Sequence, residues 1–179
     1  MLIKSDNLLN TLTRPPAEIE RWLKHQLSLT AKLKSDAGDA RLEVLKQHWV
    51  RPNWWDKYTL GLQASLVMHR DILMSAKQNP CWFARTIVPE LSYQTVPAFF
   101  ARLKDESLGD LIFSETEVRR EQMIHYAITQ QSLEYYWLLP YLGNQKTALW
   151  SRLSVFTIAE KSPFYLLEVL LPDLLRSIT

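Results

Sequence analysis

Three charged side chains stand where apolar ones are usual. Arg70, Arg85 and Glu168 each fall within an apolar segment that reads as a strand. In a strand, residues two apart share a face. Arg70 then lies in line with Leu66, Met68, Ile72 and Met74, and Arg85 with Cys81, Phe83 and Ile87. Glu168 lies in line with Phe164, Leu166 and Leu170, while the reverse face carries Tyr165, Leu167, Val169 and Leu171. A strand that is apolar on both sides calls for cover on both sides, and a charge in its middle is costly unless paired. One arrangement is an internal ion pair, Arg70 or Arg85 with Glu168, in which desolvation offsets much of the Coulombic gain. The other is a polar pocket in a sheet-lined cavity. There two guanidiniums would receive carboxylates through paired hydrogen bonds, and the carboxylate would meet a hydroxyl or move a proton. Two cations against one anion favour an anionic ligand.

Other chemistries lack their residues. His25, His48, His69 and His125 are scattered without HxH or HExxH spacing, so no metal site is expected. His69 points away from Arg70's face and reads as a packing residue. No GxSxG, P-loop or GxGxxG occurs, which removes nucleophile-elbow and nucleotide-phosphate chemistry. The single cysteine, Cys81, reads as an inert core thiol and fits a reduced cytoplasm. Arg119-Arg120 beside Glu117 and Glu121 reads as a solvated face. Trp54-Trp55 reads as ordinary packing or a lid anchor.

The 179 residues suit one domain, 1–179, with no linker. Hydrophobic residues make up 47% and charged residues 22%, a globular balance that excludes a disordered chain. A net charge of +2 is too small for a typical nucleic-acid binder. Apolar runs stay far below the ~18 residues of a membrane span. The opening MLIKSDNLLN lacks a signal-peptide core.

The elements that must position the three charges follow from periodicity and turn signals. Residues 14–34 read as helical, with Ile19, Trp22, Leu23, Gln26 and Leu27 on one face and Ser28 capping a second helix, 29–34. Gly38 marks a turn. Strands are expected at 41–50, 66–76, 81–89, 117–128, 150–159 and 164–171, with Lys77-Gln78-Asn79-Pro80 closing a hairpin. Residues 51–58 read as a loop, 96–104 as a short helix and 107–113 as a turn or short helix. Residues 132–142 are apolar and ambiguous. Close hairpins imply antiparallel pairing, and the fold class is α+β.

Several segments resemble chorismate pyruvate-lyase, the bacterial family that makes 4-hydroxybenzoate for ubiquinone biosynthesis. They are Ser28-Leu29-Thr30, His69 to Leu73, Pro80 to Pro89, Ser107 to Phe113, Leu149 to Arg152 and Leu166 to Pro172. The order and spacing carry the likeness, with the arginines 15 apart and Leu108 lying 23 residues beyond Arg85. Two departures are Leu29, where methionine is familiar, and Ala84, where glycine is familiar. The region 128–148 is longer than in compact members.

The resemblance implies a single α+β domain, an antiparallel sheet with helical flaps over an internal cavity. It implies that Arg70 holds the ring carboxylate and that Glu168 meets the ring hydroxyl. Leu29 and Leu108 would line the product site, where backbone N–H groups add to carboxylate binding, and Arg85 would suit the enolpyruvyl carboxylate. It further implies action on chorismate with no metal or organic cofactor, slow release of 4-hydroxybenzoate and product inhibition. A monomer is the default expectation, since no exposed apolar patch can be read from the sequence, and neither nucleic acid nor membrane insertion is expected. The alternative is a non-catalytic sensor domain of the same fold for an aromatic carboxylate. The residues before the Arg70 strand lack the basic recognition helix that such regulators carry.

Overall fold

The protein is described by a computed structural model covering residues 3, 14–143, 147–159 and 161–178. The readings on the opening segment therefore lie almost wholly outside the described residues. Six strands form one antiparallel sheet: β1 (Arg41–Val50), β2 (Val67–Ala76), β3 (Asn79–Pro89), β4 (Arg119–Ile128), β5 (Leu149–Ile158) and β6 (Ser162–Leu170). Their order across the sheet is β1-β2-β3-β6-β5-β4. Two three-stranded meanders, β1–β3 and β4–β6, thus meet at the β3–β6 pair.

The central strands β2, β3, β5 and β6 are buried along nearly their whole length, whereas β1 and β4 are half exposed at the edges. Continuous apolar runs demand cover on both faces, and both faces have it. One core gathers Trp22, Leu33, Trp82, Phe100, Phe156 and Phe164. Its helices include α1 (Ala17–Leu23), α2 (Leu29–Ala37), α5 (Pro97–Ala101) and α6 (Leu108–Ser114). The other gathers Trp55, Phe83, Tyr126, Leu138, Leu153 and Tyr165 beneath α3 (Trp54–Thr59) and α7 (Leu133–Leu142).

The α+β class, the hairpin and all six strands are present within a few residues of the expected bounds. Ser28 caps α2 by accepting from the Ala31 N–H, and Gly38 ends it with φ +88°. Residues 51–58 are not simply a loop. Asn53 and Asp56 close a reciprocal capping box, at 3.0 and 2.9 Å, that starts α3. The ambiguous 132–142 segment is helical, with Ser132 as its N-cap residue. The expected 96–104 helix divides into α5 and a 3-10 turn, Arg102–Lys104. Two helices were not anticipated: α4 (Glu90–Thr95), directly after Pro89, and α8 (Leu174–Ser177).

Register decides which way each charge points. The β2–β3 hairpin turns through Lys77 and Gln78, both at positive φ (48° and 67°), as a two-residue turn of type I′ requires. Ala76 pairs with Asn79 and Ser75 with Pro80, but the next pair is Met74 with Trp82. Cys81 is therefore an extra residue, a β-bulge, and every later pair is shifted by one. A second bulge lies at Glu121: Arg120 pairs with Phe156, yet Gln122 pairs with Val155. A one-residue slip moves all subsequent side chains to the opposite face.

Candidate active site

A cavity lies between the sheet and the helices α2 and α6. Its floor includes Arg70 from β2, Trp82, Ala84 and Thr86 from β3, Leu166 and Glu168 from β6, Arg152 and Phe156 from β5, and Arg120 from β4. Its roof is the start of α2 (Ser28, Leu29, Thr30) and α6 with its cap (Ser107, Leu108, Gly109). The space between atoms, mouth and adjoining solvent included, is about 480 Å³.

The roof is built from two helix starts. Ser28 and Ser107 each turn a side-chain oxygen back to the N–H three residues on, that of Ala31 and of Asp110. The first-turn N–H groups of Leu29 and Leu108 have no acceptor inside their own helices. The helices meet at Gly109, where a Cβ would sit only 2.9 Å from Ser28 Oγ, so a glycine is what allows this approach. Leu29 and Leu108 are 2% and 4% exposed.

Arg70 is 1% exposed. Its Nη2 donates to the Glu106 carbonyl at 2.9 Å, and its Nε has no partner. Burial pushes its guanidinium down to about 10. A buried cation held by one neutral acceptor is unfavourable, and an anion in the cavity would complete it. Glu168, 6% exposed, forms an ion pair with Arg152, whose Nε donates to Glu168 Oε2. Arg152 Nη1 donates to the His25 carbonyl at 2.7 Å, tying the floor to the α1–α2 connection.

Four of the five residues singled out from sequence thus come together: Arg70, Glu168, Leu29 and Leu108. Arg85 does not. The Cys81 bulge turns it to the opposite face of the sheet, where Nε and Nη2 grip Asp71 at 2.6 and 2.7 Å. Its guanidinium also lies 3.9 Å over the Trp137 ring. Neither Arg70 nor Arg85 pairs with Glu168, so the ion pair, one of the two arrangements open in the sequence, is made instead by Arg152 and Glu168. Arg152, near the start of the expected 150–159 strand, gives only a weaker form of the same signal, because Ser151 and Ser154 interrupt the apolar run. Arg120 was read as part of a solvated face, and it lines the cavity because the Glu121 bulge turns it inward. His69 is, as expected, on the other face, 3.1 Å from Asp56. Trp55 packs against Trp137 on that far face, while Trp54 is exposed and stacks on Tyr58.

Among the described residues no group of three or more His, Cys, Asp or Glu side chains is placed to hold a metal ion. No helix among them is long and apolar enough to cross a membrane.

Comparison with known proteins places the chain in a family. The profile described as chorismate lyase matches residues 5–177. A probable chorismate pyruvate-lyase of Azoarcus sp. (strain BH72) is 30% identical over 176 residues, covering 90% of this chain and 93% of the relative. One from Aromatoleum aromaticum is 27% identical over 166 residues, covering 91% and 89%. Among solved structures, PhnF from Mycobacterium smegmatis superposes with a TM-score of 0.60 at 14% identity, covering 84% of this chain and 66% of that one. The ligand-binding domain of a putative GntR-family regulator from Bordetella bronchiseptica gives 0.53 at 18% identity, covering 76% and 86%. At these identities the structural likeness concerns the fold alone. The sequence match over nearly the whole chain goes further: this protein belongs to the chorismate lyase family.

Proposed function

We propose that the chain cleaves chorismate to 4-hydroxybenzoate and pyruvate, the first step of ubiquinone biosynthesis. The observation that carries this reading is Arg70, a buried guanidinium lacking a carboxylate, facing a cavity whose far side holds Glu168. A cation at one side and a carboxylate at the other match, in charge and hydrogen bonding, a ring with a carboxylate at one end and a hydroxyl at the other. Arg70 and the N–H groups of Leu29 and Leu108 receive the ring carboxylate. Glu168, oriented by Arg152, accepts a hydrogen bond from the ring hydroxyl.

The reaction balances within the substrate. The C–O bond to the enolpyruvyl oxygen breaks, and so does the C–H bond at the ring carbon bearing the hydroxyl. The hydrogen ends on the enolpyruvyl methylene, which becomes the methyl of pyruvate. The ring becomes aromatic, which supplies the driving force, and no external oxidant or reductant enters the balance. The work left to the protein is to hold the two ends of the ring and to exclude water.

The buried roof has a kinetic consequence. Product held under α2 and α6 leaves only when a roof element moves, so release is slow and 4-hydroxybenzoate inhibits. We also take the protein to be a single-domain cytoplasmic monomer.

The test is to mix purified protein with chorismate, with no added metal or organic cofactor, and to quantify both products. Equimolar, protein-dependent 4-hydroxybenzoate and pyruvate is the expected result. Tight 4-hydroxybenzoate binding without turnover would instead make the chain a non-catalytic binding module.

Arg85 gives a control on the far face. Arg85→Gln leaves Asp71 without its partner and is expected to cost about 2 kcal/mol of stability. The affinity for 4-hydroxybenzoate, measured by titration, should stay within about threefold of wild type, since a threefold change is only about 0.65 kcal/mol. A much larger loss of affinity would return Arg85 to the site.

A further inference from the structure

The cavity holds three guanidiniums, those of Arg70, Arg120 and Arg152, against one carboxylate, Glu168. Arg152 is matched by Glu168. Two positive charges remain, one at Arg70 and one at Arg120. Product 4-hydroxybenzoate brings one carboxylate, whereas chorismate brings two. Resting on the reading above, we infer that Arg120 is the receptor for the second carboxylate, that of the departing three-carbon unit, and so separates substrate from product.

Three observations on Arg120 support this. The first is its direction. The rest of β4 presents Met123 and His125 opposite Ser154 and Arg152 of the cavity face, and on that parity Arg120 would face away. The Glu121 bulge reverses it, bringing Arg120 opposite Phe156, a cavity residue. Bulges beside sites commonly re-aim one side chain in this way. The second is its bonding. Nη1 donates to the Gln26 carbonyl at 2.7 Å, Nε has no partner, and the guanidinium carbon lies 5.1 Å from the Phe156 ring centre. One edge of the fork is anchored, and donor capacity is left over. The third is its neighbourhood. Burial and the Arg152 charge lower its ionisation and the Glu168 charge raises it, so it sits within electrostatic reach of that pair.

Substrate geometry agrees. With the ring carboxylate at Arg70 and the hydroxyl at Glu168, the enolpyruvyl ether springs from the carbon next to the one bearing the hydroxyl. Its carboxylate therefore lies on the Glu168 side of the cavity, where Arg120 and Glu168's partner Arg152 donate to the adjacent carbonyls of Gln26 and His25. A guanidinium there fixes the side chain over the ring and stabilises negative charge that gathers on the leaving unit.

The experiment compares wild type, Arg120→Gln and Arg120→Lys by kcat/KM for chorismate and by Kd for 4-hydroxybenzoate. For Arg120→Gln we expect a fall of about 100-fold in kcat/KM, the scale of losing one pre-aimed donor. The 4-hydroxybenzoate Kd should stay within about threefold, because the product never touches this residue. Arg120→Lys keeps the charge and should recover about tenfold of the loss, since a lysine still binds an anion as a point charge. If Arg120 merely ties the α1–α2 connection through Gln26, substrate and product binding fall together, and the inference is wrong. No change in either quantity also overturns it. A wild type that releases no pyruvate from chorismate overturns the parent reading and this one with it, whereas an active wild type with an indifferent Arg120→Gln overturns this inference alone.

Discussion

Arg70→Met is expected to lower turnover about 1,000-fold and to abolish 4-hydroxybenzoate binding while making the protein more stable. The two effects have one cause. Arg70 is 1% exposed, with a single protein acceptor and an orphaned Nε. Its ionisation is depressed to about 10 by burial. A basic group with a depressed value in the folded state weakens the fold wherever it is charged. The penalty is therefore present across the physiological range and is relieved only as pH rises through about 10. Methionine fills a similar volume without charge, and replacing buried ions by apolar residues gains roughly 1–4 kcal/mol. For a chain of this size that is a rise in Tm of at least about 2–4 °C. The activity loss should be about 1,000-fold, since the main donor to the ring carboxylate is gone. Thermal unfolding and kcat/KM on the same preparation check both parts. A destabilised but active variant would mean that Arg70 is a structural residue. The same reasoning predicts that 4-hydroxybenzoate raises the Tm of wild type and not of Arg70→Met.

The second large effect is on the Arg152–Glu168 pair. Both side chains are nearly fully buried, and Arg152 also holds the His25 carbonyl. Glu168→Gln removes the charge that compensates Arg152 and is expected to cost about 3–5 kcal/mol, or a Tm drop of roughly 10 °C. Arg152→Met combined with Glu168→Leu removes both charges together and should recover most of that stability. Activity should not return, because the ring hydroxyl has lost its acceptor. If the double variant regained both stability and turnover, the pair would be a packing device and not part of the site. Denaturant midpoints with product quantification distinguish these outcomes.

The contrast between Arg85 and Arg120 shows what the residues alone carry and what they do not. Strand parity puts Arg70 and Glu168 on the face they occupy, because β2 and β6 carry no extra residue across the β2–β3–β6 rows. Parity also grouped Arg85 correctly with its strand neighbours Phe83 and Ile87. What it lacked was the register between strands. A two-residue turn at Lys77-Gln78 with no bulge would set Arg70 opposite Arg85 on one face. The single extra residue, Cys81, sets Arg70 opposite Thr86 and Asp71 opposite Arg85 instead. Pro80, at the bulge and without an N–H to give to the ladder, was the available signal. Arg120 failed for the same physical reason in the other direction. Next to Arg119, Glu117 and Glu121 it resembles a solvated run, and the bulge that turns it inward leaves no mark in composition. Arg152 carries a diluted form of the strand signal, since Ser151 and Ser154 break the apolar run around it. The short helix α3 was hidden by its two tryptophans, although Asn53 and Asp56 at capping-box spacing announced its start.

The roof was legible in part. Ser28 reads as a cap from sequence alone, and Ser107 with Asp110 repeats the pattern at α6. That the two helix starts meet over Arg70 depends on tertiary packing, which brings Gly109 against Ser28 and Glu106 against the guanidinium. No local rule encodes such an encounter between residues this far apart in the chain.

We propose that one buried cavity holds a para-hydroxylated aromatic carboxylate with its carboxylate at Arg70 and its hydroxyl at Glu168. The most direct measurement is a crystal structure of the wild-type protein with 4-hydroxybenzoate bound. The expected result is the ring under α2 and α6, its carboxylate within about 3 Å of Arg70 and of the Leu29 and Leu108 N–H groups, and its hydroxyl at hydrogen-bond distance from Glu168. Product bound on the opposite face beside Arg85 and Trp137, or lying in the cavity with its carboxylate turned to Arg152, would contradict it.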